Sequence, residues 1–117
     1  MPQYGVPQNA RSMSLVNTAV NLIASGSYLI KGIYIWNGDS DTRYVKLYSK
    51  QSATGASDTP VITIGVPTMT GTSVGLEEGL FKTDAGLSAR SVTEIGDTGT
   101  TASTASTVIC TIFYSKL

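Results

Sequence analysis

The sequence predicts an all-β protein: a single antiparallel β-sandwich, jelly-roll-like, with seven to eight strands over residues 17–117 and an extended N-terminal arm over residues 1–16. Three observations lead there. From Thr18 onward, short runs rich in Val, Ile, Tyr and Thr alternate with clusters of Gly, Ser, Asn and Asp. No window of useful length repeats its apolar residues at the helical period. The chain has 117 residues, enough for one real core and too few for two.

The arm comes first. Pro2, Gly5 and Pro7 interrupt any period, while Tyr4, Val6, Met13 and Leu15 stand singly among polar residues. Such a segment has no core of its own. It is either a disordered terminus or an extended arm ordered by a neighbouring subunit. Strands then follow at 18–24, 27–36, 43–50, 60–66, 72–76, 79–83, 86–93 and 106–115. Glu77-Glu78-Gly79 is a poor place for a helix, with Gly75, Gly79 and Gly86 around it. The stretch from Gly96 to Ser106 is low-complexity Gly, Thr, Ser and Ala, and reads as a loop.

Around Asn37-Gly38 the pattern predicts a hairpin. Pairing Ile35 with Val45 and Ile33 with Leu47 gives an apolar face of Ile33, Ile35, Val45 and Leu47. Period two then puts Tyr34, Trp36, Tyr44, Lys46 and Tyr48 together on the other face, with Gly32 opposite Tyr48 and covered by its ring. That aromatic strip is either covered within the chain or forms a contact between subunits.

Composition removes whole classes of function. Eight Lys+Arg balance eight Asp+Glu, so the chain lacks the basic excess with which proteins displace counterions from nucleic acid. With no histidine there is no Ser-His-Asp triad, no Cys-His dyad and no histidine metal site. A single cysteine, Cys110, forms neither an internal disulfide nor a zinc cluster, and its run Val108 to Ile112 makes it a small buried hydrophobe. No apolar stretch approaches the roughly 20 residues that span a bilayer, and the N-terminus lacks the pattern of a signal peptide. Asn37, Asp39 and Asp41 begin like a calcium loop, but Thr42 replaces the required Gly and Tyr48 the closing Glu. Glu77 and Glu78 are adjacent, so in a strand they face opposite ways and do not work as a glycosidase pair. No Gly-rich phosphate cradle is present. The expectation is a protein without catalytic residues, metal or cofactor.

A set of landmarks remains. Leu29-Ile30-Lys31-Gly32-Ile33-Tyr34-Ile35-Trp36-Asn37 is followed by Tyr44-Val45-Lys46-Leu47-Tyr48, and then by Thr59-Pro60-Val61-Ile62-Thr63-Ile64-Gly65-Val66-Pro67. Glu78-Gly79-Leu80-Phe81-Lys82-Thr83, Gly86-Leu87 and Asp97-Thr98-Gly99-Thr100-Thr101 come next, and the last strand ends in Phe113-Tyr114. Over about residues 20–115 this order resembles the small β-sandwich virion proteins of tailed bacteriophages, particularly capsid decoration (cement) proteins. The resemblance implies a structural protein that binds the expanded shell and bridges major capsid protein subunits, a homotrimer by preference. It also implies a place on the capsid exterior after synthesis in the host bacterial cytoplasm. Neither nucleic acid nor membrane is expected as a partner. The expected contacts are Tyr4, Val6, Arg11 and Met13 from the arm, and Trp36, Tyr44 and Tyr48 from the hairpin. Two rivals stay open: a tail, neck or fibre module of the same fold, and a carbohydrate-binding module that stacks sugars on Trp36 and the tyrosines.

Overall fold

The computed structural model describes residues 9–23, 26–53, 58–75, 79–97, 99 and 108–117. Tyr4, Val6, Glu77, Glu78 and most of the Gly96-to-Ser106 stretch lie outside the described residues. Within them the chain is all-β: β1 (Asn9–Leu15), β2 (Val20–Ile23), β3 (Tyr28–Asn37), β4 (Arg43–Tyr48), β5 (Ile62–Val66), β6 (Thr70–Gly75), β7 (Phe81–Thr83), β8 (Leu87–Val92) and β9 (Val108–Lys116).

Every strand pairing is antiparallel, and the pairings nest. β1 lies on β9, β2 on β8, β3 on both β6 and β7, and β4 on β5. The chain is thus organised as one long antiparallel ribbon with its tip between β4 and β5. Two lateral pairings, β9 with β3 and β8 with β4, roll that ribbon up. The result is two sheets, β1-β9-β3-β6 with β7 also on β3, and β2-β8-β4-β5.

Alternation along each strand fills the space between the sheets. Leu15, Ile33, Ile35, Val108, Cys110 and Ile112 come from the first sheet, and Val45, Leu47, Ile64, Val66, Leu87 and Ala89 from the second. Each fully buried Leu, Ile or Val contributes roughly 1.5–3 kcal/mol of transfer free energy, and this cluster is the main source of stability.

Two expectations change here. The segment expected to be an arm through residue 16 gives half of its length to the first sheet. Residues from Asn9 to Leu15 are extended but pair with β9 throughout, from Asn9 opposite Tyr114 to Leu15 opposite Val108. Leu15 is fully buried and Met13 packs against the core. Met13 and Leu15, spaced by two between small serines, are a short edge-strand pattern that the flanking Pro and Gln residues obscure.

The predicted hairpin is the second. β3 and β4 do not pair; they belong to opposite sheets. The expected apolar face is present, since Ile33, Ile35, Val45 and Leu47 all reach the core, but these residues meet across it rather than side by side. The reason is at the corner. A type I′ Asn-Gly turn needs positive φ at both central residues, and neither Asn37 nor Gly38 has it. Asn37 is instead buried, its Nδ2 donating to the carbonyls of Asp41 and Val66 at 2.9 Å each while its Oδ1 accepts the Asp39 amide at 3.0 Å. The Asp39 carboxylate in turn takes Arg43 Nε at 2.9 Å, and Arg43 Nη1 donates to Ser91 O and Oγ at 3.1 and 3.0 Å. This buried network ties β3, β4, the β5–β6 turn and β8 together at one end of the sandwich, and carries the chain from one sheet to the other.

Candidate functional site

With β3 and β4 in different sheets, the expected aromatic strip divides into two surfaces on opposite sides of the molecule. Tyr34 and Trp36 lie on the outer face of the first sheet, and Tyr44, Lys46 and Tyr48 on the outer face of the second.

The second face is covered. Tyr48 is 1 % exposed, and Lys46, Ser88 and Arg90 are fully buried. Arg90, opposite Lys46 in the register, holds the cover in place. Its Nη2 donates to Asp97 O at 3.0 Å and its Nη1 to Gly99 O, drawing the chain after β8 back over the sheet. Arg90 Nε donates to Tyr48 Oη at 2.7 Å, and the guanidinium carbon lies 5.9 Å from the Tyr48 ring centroid. Lys46 has no such arrangement: its Nζ, like Ser88 Oγ, has no hydrogen-bond partner among the described residues. Burial, and then the neighbouring Arg90 charge, pull the Lys46 ammonium below its ordinary pKa, with Asp97 and Glu94 acting in the opposite sense. Tyr44 is half-buried at the margin of this face, its ring against Gly65, where an added Cβ would meet Tyr44 Cε1 at 3.1 Å.

The first face is open. Tyr34 is 41 % exposed, Trp36 37 % and Ile109 43 %. Gly32, expected beneath Tyr48, lies instead opposite Phe113 and Gly75. Phe113 covers it, with Cδ2 at 3.6 Å from the point where a Cβ on Gly32 would stand. The expected device of a ring over a bare glycine is present, but the ring comes from β9.

Of the residues expected to make contacts, Tyr4 and Val6 are outside the described residues, and Arg11 is exposed on β1. Met13 is half-buried against the core, Trp36 is on the open face, and Tyr44 and Tyr48 are on the covered one. The structure brings Tyr44 and Tyr48 to one sheet face and separates both from Trp36. Sequence reasoning missed Ile109, Thr111 and Ser12 as neighbours of Tyr34 and Trp36, because the register of β9 on β3 joins segments far apart in the chain. Cys110, inside the core, has its thiol pushed up by burial to about 12, so it is neither nucleophile nor ligand at neutral pH. Among the described residues no cluster of three or more Cys, Asp or Glu side chains is placed to hold a metal ion.

No protein-family profile, curated protein or solved structure matches this chain.

Proposed function

We propose that this chain is a jelly-roll virion component that decorates a bacteriophage capsid from outside and stabilises it by bridging major capsid protein subunits, as a homotrimer. The observation that carries the reading is the nested strand order. Two four-strand paths, β1-β9-β3-β6 and β2-β8-β4-β5, built from an antiparallel ribbon rolled on itself, fit the double Greek key of a jelly roll, an architecture used by viral capsid domains. The fold serves other roles as well, and the neutral, histidine-free composition favours a passive lattice component over an enzyme. Repetition over a shell lets individually weak contacts hold through effective concentration.

The covered second face removes Tyr48 from the expected contacts. We assign the capsid contact to Tyr4, Val6 and Arg11 of the N-terminal segment, without Met13, which packs against the core, and without Trp36, on the open face of the first sheet. The test uses particles of the encoding phage stripped of this protein. Purified chain, trimeric in sedimentation, should co-sediment with them and raise the temperature at which they release their genome. Failure to bind stripped particles would overturn the proposal.

A further inference from the structure

The open face of the first sheet has a composition and a shape that the capsid role does not use. We propose that it is a binding platform for a neutral glycan chain. The registers set out three rows across β1, β9, β3 and β6: Ser14, Ile109, Trp36 and Gly71; Ser12, Thr111, Tyr34 and Ser73; and Ala10, Phe113, Gly32 and Gly75. All are exposed or half-buried, and none carries a charge.

Two rings on this face cover glycines of the neighbouring strands. A Cβ placed on Gly71 would meet Tyr34 Oη at 2.5 Å, Cζ at 3.0 Å and Cε1 at 3.2 Å, so the Tyr34 ring leans across the neighbouring strand, over the bare glycine, and stays 41 % exposed. Phe113 covers Gly32 from β9. Two exposed aromatic side chains two residues apart on one strand, Tyr34 and Trp36, suit stacking against the C–H face of a pyranose ring. Polar partners stand next to them. Ser12 Oγ and Thr111 Oγ1 form an exposed hydroxyl pair at 2.7 Å, with Thr111 directly opposite Tyr34 and Ser73 opposite it on the other side. Hydroxyls that both donate and accept match the hydroxyls of a sugar.

Other occupants fit less well. A nucleic acid needs Lys or Arg against its phosphates, and none of the twelve positions supplies one. Protein interfaces are depleted in Ser and Ala, which take four of the twelve. Strands about 4.8 Å apart and residues repeating every ~6.8 Å along them make a plateau of roughly 14 by 14 Å, or about 200 Å². A stable protein interface buries about 800 Å² on each partner; a few sugar rings cover the plateau. The platform does not depend on where the chain is mounted.

Trp36 is the only tryptophan in the chain, so tryptophan emission reports this face alone. The full chain is titrated with oligosaccharides of glucose, mannose, galactose and N-acetylglucosamine, with heparin as the charged comparison. At least one neutral oligosaccharide should give a saturable change in emission. Tyr34→Ala should weaken it about tenfold, since one stacked ring on an aromatic platform is worth roughly that factor. Gly71→Val, which lifts the Tyr34 ring, should also weaken it, and Tyr34→Ala, changing an exposed side chain, keeps the test valid if Gly71→Val unfolds. The proposal is overturned by no response to any neutral oligosaccharide, by a response to heparin alone, or by equal binding in Tyr34→Ala. Emission that changes only with protein concentration also overturns it, and would assign the face to a second copy of the chain.

Discussion

Replacing Lys46 by Met should make the protein more stable. The lysine is fully buried, its Nζ has no hydrogen-bond partner among the described residues, and the Arg90 guanidinium stands opposite in the sheet. Met keeps most of the side-chain volume and removes the charge. A buried polar group left unsatisfied costs about 1–3 kcal/mol. Glu94 and Asp97 offset part of this through their charges, so about 1 kcal/mol of stabilisation is expected. For a domain of this size that raises Tm by about 3–5 °C. The pH dependence provides a second readout. The folded-state pKa of Lys46 lies below 10.5, while the unfolded chain titrates near the ordinary value. Below the folded pKa both states hold the proton and the whole penalty is present. Between the folded pKa and 10.5 only the unfolded chain is protonated, so stability rises with pH across that window. Lys46→Met should lack this rise, and its advantage should shrink as pH climbs toward 10.5. The assay is urea unfolding followed by Trp36 emission across that window. A variant less stable than the parent, with the same pH slope, would show that the ammonium is well partnered and would refute the reasoning.

Three other outcomes follow from the same packing. Asp39→Ala removes the carboxylate paired with Arg43, which is 2 % exposed, and should lower the unfolding free energy by about 3 kcal/mol; the double change Asp39→Leu with Arg43→Met should recover part of it. A loss below about 0.5 kcal/mol in urea unfolding would mean the corner does not hold the sheets. Deleting residues 1–8 should leave the melting transition in place and abolish binding to stripped capsids, whereas deletion through residue 15 removes β1 and its buried Leu15 and should abolish the cooperative transition in calorimetry. Cys110, with a thiol pKa pushed up to about 12, should resist a thiol-directed disulfide reagent in the native state and react only as fast as the protein unfolds.

Most of the strands are legible in the sequence because each carries its own period-two signal. β3, β4, β5, β8 and β9 fall where alternation and turn residues put them, within a few residues. Pairing is not legible at the corner. Ile33, Ile35, Val45 and Leu47 are equally well buried side by side in one sheet or facing each other from two, so their alternation does not choose between the arrangements. Asn37, Asp39 and Arg43 choose, through hydrogen bonds to Val66 and Ser91 far along the chain. The same limit applies to the aromatic residues. Alternation puts Tyr34 and Trp36 on an outer face, where the structure has them, but their companions Ile109 and Thr111 come from a register that no local pattern carries. Period two also points Lys46 away from the core, which suggests solvation. It is buried because Arg90 draws the chain at Asp97 and Gly99 across that face, a contact set by the tertiary fold alone.

The proposed role on the capsid, which implies that a phage encodes the chain, is tested most directly by its copy number in purified particles of that phage, measured by quantitative mass spectrometry against the major capsid protein. The account predicts hundreds of copies per particle, in a fixed ratio to the shell subunits. A dozen copies or fewer would place the chain in the tail or neck, and its absence from the particle would contradict a virion role altogether.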